Sequence, residues 1–287
     1  MTPLIIENFF PAVDAIRSDF ERAVTFGHAR LRERLVWDYY FSEGNFAYVR
    51  TTADRVITPS FHHLFVACLR EFTLKELGCP RVFSPWMSYY LDGCFQARHT
   101  DTQPSFLSYV FSLTHWDQRS FRGGETFIND LSKGAETETV CYEPMFNRLL
   151  IFDGQLPHGV RRVRNVTDPR KARVVLHGLI PLPGICGVEG LLPGMEPRLR
   201  RQLADLERYI NSLGTFSGVV VIRCKLAKGG LESCHLLVNT ALDVRREEYS
   251  STRLAELALA GVRNLDWGGL AEHATLSFPL QLGSAAG

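Results

Sequence analysis

The stretch WMSYYLDGCFQARHTD, residues 86–101, contains two apolar runs separated by the turn residues Asp92 and Gly93. From residue 84 onward the hydrophobic pattern has the two-residue period of β-strands, and apolar stretches recur between turn signals. The later stretches are FLSYVFSLTHW (106–116), ETFIND (125–130), ETVCYE (138–143), RLLIFDG (148–154) and ARVVLHGLIPL (172–182). Many short strands in succession, without a long helical pattern between them, predict an antiparallel jelly roll or a related double-sheet barrel.

Two helices are predicted before these strands. After a short strand, LIIENF, one helix is indicated by an apolar stripe of Val13, Ile16, Phe20 and Val24. The second helix has Thr58 as its cap and Pro59 in its first turn, and it ends at Gly78. Its expected buried face consists of Phe61, Leu64, Phe65, Cys68, Leu69 and Phe72. The predicted barrel domain with its supporting helices therefore covers residues 1–182.

A second, smaller domain is predicted after a linker. Residues 181–197, PLPGICGVEGLLPGMEP, are rich in proline and glycine and show no sustained period, so residues 183–197 form the predicted linker. Beyond it, a helix up to Gly214, a hairpin around AKGGLE, a last helix and a final strand make an αββαβ module over residues 198–287. The expected fold class of the whole chain is α+β.

Charge and cysteine content limit the partners and the compartment. The 32 basic and 31 acidic residues are mixed along the chain and give a net charge of +1, which favours neither nucleic acid nor an anionic membrane as a partner. The seven cysteines are an odd number without a CxxC pair, which is typical of reduced thiols. With no signal peptide or membrane span in the pattern, the expected location is the cytoplasm.

His99 and Asp101 are two positions apart, so on an extended strand both side chains project to the same face. Two imidazoles and one carboxylate on one face of an ion form the facial triad of non-haem Fe(II) enzymes, which leaves three coordination positions open. The candidate third ligand is His158 in LLIFDGQLPHGVRRV, 57 positions after Asp101. An HxD pair by itself is also typical of surface residues or of a hydrogen-bonded pair.

The order of several motifs resembles the Fe(II)/2-oxoglutarate-dependent dioxygenases, in particular their prolyl-4-hydroxylase-like branch. The resemblance covers about residues 84–182 and rests on SYYLDGCFQARHTD, SFRGGETFI, LLIFDGQLPHGVRRV and ARVVLHGLI. It implies that His99, Asp101 and His158 bind Fe(II), and that 2-oxoglutarate and O2 are cosubstrates. It also implies a double-stranded β-helix barrel.

The resemblance further implies an arginine for the distal carboxylate of 2-oxoglutarate, because a guanidinium binds a carboxylate through two parallel hydrogen bonds. The nearby candidates are Arg161, Arg162, Arg164, Arg170 and Arg173. Only Arg173 opens an apolar strand, 15 residues after His158, whereas the others are typical of solvated loop charges. Tyr90 resembles a tyrosine that touches the same cosubstrate, with core packing as the alternative.

Three further residues are candidates for the substrate pocket. His177 shares the strand parity of Arg173 and Val175, where many relatives have a small hydroxyl residue, and it could contact 2-oxoglutarate or substrate. His115 and Trp116 end an apolar strand near the same rim. For each of the three, an ordinary core role is the alternative. Adjacent His62 and His63 are expected to be solvated. The aromatic-rich residues 37–55 lie where this branch often has a substrate lid, with ordinary surface and core aromatics as an equal alternative.

The resemblance implies hydroxylation of an unactivated C–H bond in an amino-acid unit, free, carrier-bound or within a peptide, with succinate and CO2 as co-products. Asp101 favours this outcome over halogenation, but desaturation and ring formation stay open. The alternatives are an oxygenase of other small molecules, a non-catalytic metal- or ligand-binding barrel, and a zinc hydrolase. The C-terminal module loosely resembles the C-terminal domain of TonB-like proteins, and it could handle substrate, cover one face of the barrel or form a homodimer contact.

Overall fold

The computed structural model describes residues 3–26, 37–101, 106–130, 138–245 and 249–283. The chain divides into two compact units. The first, called here the barrel unit, contains the described parts of 2–70 and 82–180; the second, the C-terminal unit, contains those of 71–81 and 181–287. The predicted boundaries at 182 and 198 stay a prediction, since the C-terminal unit also takes up residues 71–81. No described helix is long and apolar enough to span a membrane.

The barrel unit is built on a curled antiparallel sheet of eleven strands among the described residues. In spatial order the path is β1-β9-β6-β11-β4-β3-β5-β10-β7-β8, and β2 pairs with β3. The strands are β1 (Leu4–Ile6), β2 (Asp38–Ser42), β3 (Phe46–Thr52), β4 (Trp86–Tyr90), β5 (Phe95–His99), β6 (Phe106–Ser112), β7 (Thr126–Asp130), β8 (Glu138–Tyr142), β9 (Leu149–Asp153), β10 (His158–Val160) and β11 (Arg173–Pro181). This confirms the predicted jelly-roll type of fold.

The predicted helices are present as α1 (Val13–Phe26) and α2 (Pro59–Leu77). Ile16 and Phe20 of α1 and Phe65 and Leu69 of α2 are buried, as expected. Leu64 was expected on the buried face but is 44% exposed. It lies about 100° around the helix from Phe65, outside the buried stripe.

Residues 37–55 do not form an irregular lid. They contain the hairpin of β2 and β3, and β3 lies inside the sheet between β4 and β5. Ala47, Tyr48 and Val49 are buried there. Aromatic and β-branched side chains suit the pleated surface of a sheet, and the turn residue Gly44 at φ 72° connects the two strands.

Three neighbouring strands align their residues in a way that builds one face of the barrel. Tyr90 of β4 is opposite Arg173 of β11, and Ser88 is opposite Val175 on one side and Arg50 of β3 on the other. Directly opposite residues share a face of the sheet. The Tyr48 and Tyr90 rings stack on this face with centroids 5.3 Å apart. The same face therefore carries an aromatic layer and two arginines.

The C-terminal unit has the predicted αββαβ order, with one additional two-residue strand. Its elements are α3 (Glu196–Ser212), β12 (Phe216–Ala227), β13 (Gly230–Asn239), β14 (Leu242–Asp243), α4 (Ser251–Arg263) and β15 (His273–Leu282). β12 is the central strand and pairs antiparallel with β13, β14 and β15. Apolar residues of α3 and α4, including Leu203 and Ala258, pack into one core with Ile222 and Phe278.

Replacing Gly123 by alanine is expected to destabilise the barrel unit strongly. Gly123 has φ +75°, and an added Cβ would lie 2.0 Å from the carbonyl oxygen of Arg162. The left-handed backbone costs an alanine about 1–2 kcal/mol, and overpacking adds roughly 1–3 kcal/mol. Gly44→Ala is the matched control, because Gly44 has φ +72° with no atom within 4 Å of the added Cβ. Urea unfolding should show the larger loss for Gly123→Ala, and equal losses would contradict the clash.

Candidate metal and cosubstrate site

The structure brings His99, Asp101 and His158 together at one point of the sheet. His99 ends β5, Asp101 follows two residues later, and His158 opens β10 directly opposite His99. One possible ligand atom from each residue lies within 4.8 Å of the other two. The two imidazole centroids are 4.4 Å apart, and His158 Nε2 is 3.8 Å from Asp101 Oδ2. Such a cluster of three donors has the composition of a facial triad.

Hydrogen bonds orient all three side chains. His99 Nδ1 is 2.9 Å from the Ala97 carbonyl oxygen, and His158 Nδ1 is 2.8 Å from that of Leu156. A carbonyl can only accept, so each Nδ1 carries the proton and each Nε2 keeps a free lone pair for a metal. The Ser108 hydroxyl donates to Asp101 Oδ2. These contacts leave both imidazoles in the tautomer that a metal ion requires.

The electrostatic surroundings also favour a neutral His158. Burial lowers its pKa, the neighbouring His99 lowers it further, and Asp101 opposes both effects. A neutral imidazole binds a divalent metal, whereas an imidazolium does not.

Arg173 is a buried cation with unused hydrogen-bond donors. The residue is 1% exposed, and its guanidinium lies over the Tyr90 ring, 4.4 Å from the centroid. Nη2 donates to Thr126 Oγ1 at 3.0 Å, but Nε and Nη1 have no hydrogen-bond partner among the described residues. Burial lowers the pKa of Arg173, while Tyr90 and Glu125 oppose that shift. Unpaired buried donors of this kind fit an anionic ligand, and a carboxylate could accept from both.

The other four candidate arginines lie on the surface. Arg161, Arg162, Arg164 and Arg170 are all exposed. Arg170 pairs with Asp168 at 2.8 Å, and Arg162 donates to the Gly93 carbonyl oxygen at 2.7 Å. Arg173 is thus the member of this group that the structure places inside the sheet.

His177 lies on the face of the sheet that carries Arg173. Its Nε2 is 2.8 Å from the Ser88 hydroxyl oxygen. Burial lowers the pKa of His177 to about 3, and the charges of Arg173, Arg50 and His99 act in the same direction. The imidazole is therefore neutral at physiological pH and offers a hydrogen bond without a charge.

His115 lines a surface cleft, and Trp116 lies in an apolar core cluster. The His115 ring stacks on Phe146 with centroids 4.2 Å apart, and it lines a cleft of about 540 Å³ together with Arg17 and Arg170. Trp116 is buried in the apolar cluster that includes Tyr90 and Val175. His62 is partly buried and His63 is exposed.

Sequence reasoning missed three residues that support this site. Ser108 contacts Asp101, Thr126 contacts Arg173, and Arg50 shares the sheet face of Ser88. Thr126 directly follows the GGE turn, which gave a local signal for its position. Ser108 and Arg50 become recognisable only from the pairing of strands that are distant in the chain.

Comparison with known proteins agrees with this geometry. Residues 85–179 match the family model of the 2OG-Fe(II) oxygenase superfamily. No curated protein matches the chain. The matched segment includes the HxD pair, His158, Tyr90 and Arg173.

Similar solved structures include a prolyl-4-hydroxylase from Pseudomonas putida, with 18% identity over 63% of this chain and 93% of the other, at a TM-score of 0.46. A Trichoplax adhaerens prolyl hydroxylase, solved with a peptide fragment of hypoxia inducible factor, has 15% identity over 62% and 85% of the two chains and a TM-score of 0.46. The carbocyclase SnoK from nogalamycin biosynthesis has 13% identity over 63% of this chain and 79% of the other, at a TM-score of 0.46. The matching family model covers residues 85–179, and this segment of the chain is similar to the 2OG-Fe(II) oxygenase superfamily, whose enzymes use Fe(II), 2-oxoglutarate and O2.

Proposed function

We propose that this protein hydroxylates an unactivated C–H bond in an amino-acid unit, either free, carrier-bound or part of a peptide. In this proposal His99, Asp101 and His158 hold Fe(II), Arg173 and Tyr90 hold the distal carboxylate of 2-oxoglutarate, and the co-products are succinate and CO2. The observation that carries it is a buried Arg173 with two unpaired donors, in the same family segment as the three clustered ligands.

Each residue has a distinct task in this proposal. The Nε2 atoms of His99 and His158 and one oxygen of Asp101 bind the metal, while Ser108 and the two backbone carbonyls hold them in place. Arg173 neutralises and orients the far end of the cosubstrate from the wall of the barrel. When bound, the iron and 2-oxoglutarate supply the oxidising chemistry that activates O2. The surrounding aromatic residues, such as Tyr48 and Tyr90, exclude water from that chemistry.

The C-terminal unit serves as an accessory module in the proposed enzyme, handling substrate or a partner. None of the triad residues, Tyr90 or Arg173 belongs to it. The proposed compartment is the cytoplasm, where thiols stay reduced. Cys224 and Cys234 face each other across β12 and β13 and are free thiols.

The substrate test combines binding and product analysis. Anaerobic protein should first develop a visible metal-to-ligand charge-transfer band when Fe(II) and 2-oxoglutarate are added together. Amino acids and peptides are then screened for stimulated succinate release under ¹⁸O2. The expected product has gained one labelled oxygen. A product that has lost two hydrogens and gained no oxygen would contradict hydroxylation, and a missing band would favour a zinc hydrolase or a non-catalytic barrel.

A further inference from the structure

Arg50 is a second arginine on the face of the sheet that carries Arg173. It lies on β3, and in the register of the sheet it is opposite Ser88, which is itself opposite Val175 of β11. Its guanidinium carbon is 3.7 Å from the centroid of the Tyr40 ring and 4.7 Å from that of the Trp86 ring. The side chain is therefore held between two aromatic rings over the interior face rather than extended into solvent.

No carboxylate neutralises Arg50 within the part of the chain that the structure describes. Asp38 is its direct neighbour across the β2–β3 hairpin, yet the two side chains form no ion pair. Aromatic rings attract a cation through their negative faces, but they leave the N–H groups at the guanidinium edge free to donate. Arg50 is partly buried. Tyr48, on the same face two residues earlier, takes one hydrogen bond from Arg50. A guanidinium has five N–H donors, so Arg50 is a preorganised cation with donors left for a ligand.

Contacts connect Arg50 with the metal triad through one layer of rings. Tyr40 packs on Phe46 with centroids 5.7 Å apart, and Phe46 packs edge-on against His99 at 5.0 Å. On the other side, the charges of both Arg50 and His99 act on His177. Two packed rings, Tyr40 and Phe46, therefore connect Arg50 with His99, and the charges of Arg50 and His99 act on the same imidazole, that of His177.

The two arginines differ in what they can bind. Arg173 is fully buried beneath Tyr90, which suits a small cosubstrate deep in the barrel. Arg50 is partly exposed and is flanked by Tyr40, a partly buried residue of the outer strand β2. A ligand that reaches Arg50 and also comes near the triad must be larger than the cosubstrate or separate from it. The substrate is the molecule that meets this requirement.

We propose that Arg50 binds a carboxylate group of the substrate, so that the enzyme acts on a molecule whose carboxylate is free. This inference rests on the proposed function and narrows it, because a peptide bond or a thioester at that carboxyl would remove the charge. A planar guanidinium binds a carboxylate through two parallel hydrogen bonds. The neutral Ser88–His177 pair lies beside this cation and can accept or donate one further hydrogen bond without adding charge. Tyr40 and Trp86 fix the orientation of the guanidinium before the substrate arrives.

The test compares acids with their uncharged counterparts. The twenty L-amino acids and their N-acetyl forms are each paired with the matching carboxamide, and phenyl phosphate is included as a phosphate probe. Binding is measured by calorimetry on full-length protein loaded with Mn(II) and 2-oxoglutarate, and stimulated succinate release is measured with Fe(II). At least one acid is expected to bind, with its carboxamide weaker by roughly 10- to 100-fold, the range for losing a charge-assisted hydrogen bond.

Three variants separate binding from structure. Arg50→Ala should abolish the preference for the acid, whereas Arg50→Lys should keep part of it. Arg119→Ala is the matched control, because Arg119 is also partly buried and lies over a tryptophan ring, 3.8 Å from the centroid of Trp116. This control should keep the preference. Near-UV circular dichroism checks that each variant retains its packing.

The proposal is overturned if no acid binds, if carboxamides bind equally well, if Arg50→Ala keeps the preference, or if phenyl phosphate alone binds through Arg50. The charge-transfer band with Fe(II) and 2-oxoglutarate distinguishes this failure from a wider one. If the band forms, only the role of Arg50 is wrong. If it does not form, the proposed function and this inference fail together.

Discussion

Arg173→Ala is expected to weaken 2-oxoglutarate binding by about 2–5 kcal/mol, the cost of removing one partner from a buried, hydrogen-bonded charge pair. Iron binding should be nearly unchanged, because Arg173 is not one of the three clustered donors. The effect is expected to be large because Arg173 is only 1% exposed, so solvent cannot replace the lost charge pair. Anaerobic titration of 2-oxoglutarate, followed through the charge-transfer band, measures the affinity directly.

Two variants control this experiment. Arg170→Ala removes an exposed arginine that pairs with Asp168, and it should leave the titration unchanged. Arg173→Lys keeps a charge but loses the forked geometry, so an intermediate affinity is expected. If Arg170→Ala weakens binding and Arg173→Ala does not, the cosubstrate binds at the surface and the assignment of Arg173 is wrong.

His158→Ala is expected to reduce Fe(II) affinity by more than about 100-fold, the upper range for losing a residue that merely supports a ligand. The loss should be larger than for Ser108→Ala, which removes only the hydroxyl that donates to Asp101. Equilibrium dialysis under anaerobic conditions measures both. His115→Ala is the control, because this imidazole stacks on Phe146 and is not part of the cluster. Equal affinities of His158→Ala and wild type would exclude His158 as a ligand.

The sequence predicted the parts of the site that are local in the chain. The spacing of His99 and Asp101 placed both on one side of a strand, and the apolar run after Arg173 separated it from the other arginines. The pairing of His158 with His99 came only from the family resemblance, because it depends on the register between β5 and β10. Arg50 was missed because an arginine among aromatic residues is equally typical of a surface or lid, and only the pairing of β3 with β4 distinguishes these cases.

For the fold as well, features that depend on short segments could be predicted, whereas features that depend on distant parts of the chain could not. Strand and helix periods predicted the jelly-roll type of barrel and the αββαβ module, since both depend on alternation within short segments. The β2–β3 hairpin was missed although Gly44 marks its turn, because Tyr39 and Phe41 expose aromatic rings where alternation predicts polar side chains. The inclusion of residues 71–81 in the C-terminal unit has no local signal. Arg223 donates to the carbonyl oxygens of Lys75 and Leu74, both at 2.7 Å. These two residues precede Arg223 in the chain by 148 and 149 positions.

The aligned register of β3, β4 and β11 also limits how the length of this chain can vary. Side chains alternate between the two faces of a strand, so inserting or deleting one residue between Tyr48 and Arg50 would leave these two side chains on opposite faces of the sheet. A change of two residues would keep the face but move Arg50 away from Ser88. At the hairpin tip, Gly44 has open space around it, and extra residues there leave the pairing intact. Homologous enzymes with this arrangement should therefore differ in length at the tips of their hairpins, with the lengths of these three strands held constant.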